Sequence, residues 1–112
     1  MAINVKTAGN STPITKTASV GTTCTQIRAD AGANVTVLAD GAIFIFNDVA
    51  EGGAVPAAGN RMALSETEAG QGLRLKVGRA FINGRVARRR FGGTICVAAQ
   101  SGTVNVRVIV ER

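Results

Sequence analysis

The chain has 112 residues, 13 of them Lys or Arg against 7 Asp or Glu, which gives a net charge of +6, and it contains no histidine. Hydrophobic residues make up 46% and charged residues 18%, a balance that predicts one folded domain rather than a solvated tail. Without histidine, Ser-His-Asp and Cys-His catalysis are excluded, and a transition-metal site would need unusual ligands.

In chain order, residues 2–7 alternate, with Ile3 and Val5 on one side and Asn4 and Lys6 on the other. Gly9-Asn10-Ser11-Thr12-Pro13 breaks the pattern, so residues 1–13 read as an extended N-terminal arm. The stretch from Ile14 to Arg28 is rich in Thr, Ser and Val and predicts two short strands divided near Gly21. Asp40-Gly41 then stands between Ala33–Ala39 and Ala42–Phe46, the pattern of a hairpin with a two-residue turn. The return arm Ile43-Phe44-Ile45-Phe46 is apolar on both faces, which predicts a central sandwich strand or one covered by a partner.

Regular signal fades across residues 47–72, a long central loop with one short apolar piece at Met62-Ala63-Leu64 and a polar connection at Thr67-Glu68-Ala69-Gly70-Gln71. Alternation returns at Leu73-Arg74-Leu75-Lys76-Val77 and runs on to Phe81-Ile82, where Asn83-Gly84 predicts a second hairpin, into Arg85–Phe91. A third, through Ser101-Gly102, joins Thr94–Ala98 to Val104–Val110, whose valines at 104, 106, 108 and 110 share one face. No helix is predicted. About eight strands at short intervals define an all-β, antiparallel β-sandwich or barrel, a single domain over residues 1–112.

Cys24 and Cys96 fall in separate strand-like runs and read as buried thiols, with a long-range disulfide as the alternative in an exported chain. The start carries no apolar signal region and no run is long enough to span a bilayer, which predicts synthesis in the cytoplasm, reduced thiols and no membrane association. Glu66 and Glu68, and the glycine pairs at 52–53 and 92–93, lack the context of an acid–base pair or a phosphate loop. No residue is assigned a catalytic, cofactor-binding or metal-binding role, and no enzyme or cofactor is expected.

Charge is the clearest functional signal. Residues 1–73 hold four basic and six acidic residues, a balance of −2, whereas residues 74–112 hold nine basic residues and Glu111, a balance of +8. All nine but Lys76 are arginines, whose planar fork suits carboxylates and phosphates. Arg74, Lys76, Arg79, Arg85, Arg88, Arg89 and Arg90 gather around Asn83-Gly84 as a solvated face, a docking surface for an acidic protein, or a backbone-binding nucleic-acid surface. Without Tyr or Trp to stack bases, the nucleic-acid reading is the weakest of the three.

With its Met1-Ala2-Ile3-Asn4-Val5-Lys6-Thr7 start, its Asp40-Gly41 turn and its Val-rich terminal strand, the chain resembles the small jelly-roll decoration, or cement, proteins of tailed bacteriophage capsids. The resemblance implies a jelly-roll-like sandwich, made in the host cytoplasm, that sits as a homo-dimer or homo-trimer on the outside of the virion and clamps neighbouring major capsid protein subunits. Its partner-binding residues are expected to be Ile3, Val5 and Lys6 in the arm, adding a strand to a neighbour's sheet edge, together with the seven cations just named. A head–tail joining or tail structural protein, and a basic nucleic-acid-binding β domain, are the alternatives.

Overall fold

The computed structural model describes residues 2–6, 13–30, 32–76, 79–82, 85–86 and 94–111. Strands β1 (Ile3–Asn4), β3 (Thr25–Arg28), β5 (Ile43–Asn47), β6 (Met62–Leu64) and β10 (Ile95–Ala99) form one sheet in the order β1-β3-β10-β5-β6. Strands β2 (Ile14–Val20), β4 (Asn34–Ala39), β7 (Leu73–Lys76), β8 (Arg79–Ile82), β9 (Arg85–Val86) and β11 (Val104–Glu111) form the other, in the order β2-β11-β4-β7-β8-β9.

The order has a simple physical origin. A chain folded once on itself pairs β2 with β11, β3 with β10, β4 with β7 and β5 with β6, and all four pairs are present and antiparallel. Rolling that ribbon closes two more antiparallel ladders, β11 with β4 and β10 with β5. The result is two four-stranded sheets, β2-β11-β4-β7 and β3-β10-β5-β6, face to face. This is a jelly roll. Strands β8 and β9 extend one sheet beyond β7, and β1 extends the other beyond β3.

Alternation places the core between the sheets. Val104, Val106, Val108 and Val110 of β11 point inward with Val35, Val37 and Ala39 of β4 and Leu73 and Leu75 of β7. Ile27, Ile43, Ile45, Ile95 and Val97 meet them from the opposite sheet. No aromatic side chain belongs to this buried layer among the described residues. Branched aliphatics fill a thin gap between pleated surfaces in few rotamers, which suits the Val-rich composition.

The turns correct the sequence reading. β4 and β5, flanking Asp40-Gly41, lie in different sheets, as do β10 and β11, flanking Ser101-Gly102. Both dipeptides are corners at which the chain crosses between sheets, not hairpins. Gly102 has the positive φ of 61° that glycine was expected to supply, and beside it the Gln100 amide donates to the carbonyls of Ile43 and Leu64. Asn83 and Gly84 lie outside the described residues, although β8 and β9 on either side pair with Ile82 opposite Arg85.

Two segments expected to lie outside the sandwich, the extended arm and the long central loop, are built into it. The N-terminal arm is not free: β1 runs parallel to β3, with Ile3 opposite Ile27, and Val5 N–H donates to Arg28 O at 2.8 Å. Within residues 47–72, Met62–Leu64 is strand β6 and Glu66–Gln71 is a helix, α1. Ser65 opens α1 with a capping box: its Oγ accepts from Glu68 N–H, and a Glu68 carboxylate oxygen accepts from Ser65 N–H. Ala69 is the residue α1 buries in the core.

Candidate functional site: a covered sheet face and a cationic sheet extension

The expected partner-binding residues divide between two opposite edges. Ile3 and Val5 are buried, 5% and 1% exposed, in the chain's own core, while Lys6 beside them is exposed. In this structure both apolar side chains of the arm pack in the chain's own core, and β1 pairs with β3 of the same chain. β1 and β2 are the edge strands on one side, and an open seam of about 340 Å³ between them is lined by Ile3, Asn4, Lys16 and Ser19.

At the far edge the six-stranded sheet continues through β7, β8 and β9, bringing Arg74, Lys76, Arg79 and Arg85 onto three neighbouring strands. Arg74 is exposed and stands opposite Thr36. The register sets Lys76 directly opposite Arg79, and Arg85 opposite Ile82. Arg88, Arg89 and Arg90 lie outside the described residues. The sequence cluster is therefore a sheet extension in which four of its seven cations share adjacent strands.

A second small core covers the outer face of the β3-β10-β5-β6 sheet. Cys24, Phe46, Cys96 and Ala98 are buried there, with Phe44, Val49 and Val55 packed against them. The doubly apolar strand β5 is thus covered by the chain's own β5–β6 connection rather than by a partner. That connection is tied down along its length. Cys24 N–H donates to Gly53 O and Gly52 N–H to Cys24 O, both at 2.8 Å. Gln26 donates from its amide to Val49 O at 2.9 Å and from its backbone to a Glu51 carboxylate oxygen at 2.7 Å. Asp48 N–H donates to Thr94 O, closing the start of the connection onto β10. Beyond it, the Arg61 guanidinium lies 4.0 Å from the Phe44 ring centroid, a cation–π contact.

Beneath the connection the two cysteines, 72 residues apart in sequence, are neighbours. Both are free thiols, and each donates to the same acceptor, Val49 O, at 3.5 Å from Cys24 and 3.6 Å from Cys96. Burial, reinforced by Cys96, pushes the Cys24 thiol up to about 12. Burial also raises Cys96. Both are protonated at neutral pH and slow as nucleophiles.

The outer face of the other sheet carries an open depression of about 290 Å³ lined by Thr17, Leu38, Asp40, Asn105 and Arg107. Its polar floor is already satisfied, since the Asp40 carboxylate accepts from Asn105 N–H at 2.9 Å and from the Asn105 amide at 3.0 Å. Those bonds, the backbone one first, hold the Asp40 carboxyl below its ordinary range. Among the described residues no three His, Cys, Asp or Glu side chains group closely enough to hold a metal ion, and no helix is long and apolar enough to cross a membrane. Comparison with protein-family models, with curated proteins and with solved structures gives no match.

Sequence reasoning read both cysteines as buried but missed their placement side by side and the covering connection. Neither leaves a local signal, because Val49 and Val55 are isolated apolar residues among Gly, Ala and Pro. The capping box at 65–68 was a readable signal for α1.

Proposed function

We propose that the chain is a virion structural protein that decorates the outside of an icosahedral phage capsid and stabilises it by clamping neighbouring major capsid protein subunits. The observation that carries this reading is the cationic sheet edge β7-β8-β9, in which β8 and β9 extend past the eight strands that close the jelly roll. Like charges directly opposite in a ladder destabilise it, and Lys76 stands opposite Arg79. An anionic partner relieves that repulsion, and arginine forks suit surface carboxylates. The sandwich supplies a stiff spacer, and many copies on a lattice gain avidity from weak single contacts. The clamp is assigned to this extension rather than to the arm, because Ile3 and Val5 are buried at home.

The test is co-sedimentation of the purified chain with capsids that lack it, with copies per particle counted by quantitative mass spectrometry. A decorating subunit binds in hundreds of copies, and the Arg79→Glu, Arg85→Glu double variant loses that binding while keeping its circular dichroism. Binding at about a dozen copies, as expected for closed oligomers at a head–tail joint, would replace this reading with a joining protein. Binding instead to duplex DNA, with an affinity that falls steeply with salt, would replace it with a nucleic-acid-binding domain.

A further inference from the structure

The pair under the β5–β6 connection points to a modification site that is independent of any role on a capsid. Cys24 and Cys96 lie on the same outer sheet face and share Val49 O as acceptor. The β3–β10 register puts Cys96 opposite Gln26, so Cys24, two residues earlier, stands on the diagonal from Cys96. Diagonal positions are wider than the Cα separation a disulfide prefers. Cys24, however, precedes β3 and is held by bonds to Gly52 and Gly53 of the connection rather than by the ladder. It is the one end of the pair that can move without unpairing two strands.

We propose that Cys24 and Cys96 are a dithiol that closes to an intramolecular disulfide beneath the β5–β6 connection when a small-molecule disulfide is the oxidant. One cysteine thiolate attacks the oxidant's S–S bond and expels one small thiolate, leaving a mixed disulfide on the protein. The second cysteine attacks the protein sulfur of that bond and expels the other. Two protein thiols are thereby oxidised by two electrons, one small disulfide is reduced to two thiols, and the two S–H protons end on those products. Because both thiols are buried and protonated, closure waits on opening of the 48–55 segment, and the bond reports that opening.

The experiment brings the reduced full-length chain to equilibrium with mixtures of reduced and oxidised glutathione at mildly alkaline pH. Thiols are then alkylated under denaturing conditions and counted by mass, with peptide mapping. The expected result is loss of both alkylatable thiols together, a monomer lighter by two hydrogen atoms, a peptide linking Cys24 to Cys96, and full reversal by reductant. Two alkylatable thiols remaining at the most oxidising mixture, stable glutathione adducts, or covalent dimers would each overturn the proposal.

Discussion

Gly41 lies so close to β11 that a Cβ built on it would stand 2.6 Å from Val104 Cγ1. Its φ is not among the positive ones, so what the position demands is space rather than left-handed backbone. Gly41→Ala forces a shift of Val104 and is expected to cost roughly 1–3 kcal/mol by denaturant unfolding. Because the strain runs through one contact, the loss in the Gly41→Ala, Val104→Ala double variant should be smaller than the sum of the single losses. Strictly additive losses would remove Val104 from the explanation. Asp40, one residue earlier, makes a different prediction. Its carboxyl is depressed below 3.8 by the Asn105 backbone and side-chain donors, so its contribution is complete above the unfolded value and is lost as pH falls through the lower folded value. Asp40→Ala should therefore melt below the parent at neutral pH, and the gap should close as the pH is taken below about 4. A gap that persists unchanged into acid would mean that the carboxylate charge is not what Asn105 recognises. The sequence made Asp40-Gly41 conspicuous for its turn propensity; the side-chain clamp and the close approach depend on β11, 64 residues away at Asn105 from Gly41.

Among the elements, β1 shows how an alternation can mark a strand without revealing which sheet it joins. The pattern of Ile3 and Val5 against Asn4 and Lys6 does mark a strand with one apolar face. Nothing local says whose sheet that face joins, because parallel pairing with β3 is fixed by residues more than twenty positions on. Burying an Ile and a Val contributes about 1.5–3 kcal/mol each as an upper range, against a total stability of about 5–15 kcal/mol for a domain. A chain lacking residues 1–6 should therefore show a clearly lower urea midpoint, by the equivalent of about 3 kcal/mol or more. An unchanged midpoint would return the arm to the role of a contact with a partner. The β5–β6 connection teaches the complementary point. The doubly apolar β5 was legible as a strand needing cover, but the cover consists of scattered residues held by backbone bonds to Cys24 and Thr94. Such a segment has no periodicity to read.

For the whole molecule, the all-β class and the inward valine row were legible, since each is a property of local alternation and turn propensity, whereas the expected eight or so strands fall short of the eleven described. Sheet order was not, because a Gly dipeptide marks where the chain reverses without specifying whether the next strand joins the same sheet or the facing one. Among the described residues, rolling the ribbon leaves four edge strands, β1, β6, β2 and β9, and open edges invite pairing with other chains. The seven-residue β2 is the longest of them. Its residues Ile14, Lys16, Ala18 and Val20 stand opposite Val110, Val108, Val106 and Val104, on the core-facing side of the sheet. Lys16 is nevertheless exposed, so a charge sits in the apolar row where the seam beside β1 opens. An inward-pointing charge on an edge strand opposes edge-to-edge association, because a second strand added there would desolvate it. Lys16→Val should leave the fold intact, since the position is at the rim of the core, and should raise self-association as the protein concentration increases. Sedimentation velocity across a concentration series reads this directly: the variant's weight-average coefficient should climb above the parent's while its circular dichroism matches. If the two sediment alike at every concentration, the lysine does not guard the edge, and the shape of the edge alone keeps other strands from pairing there.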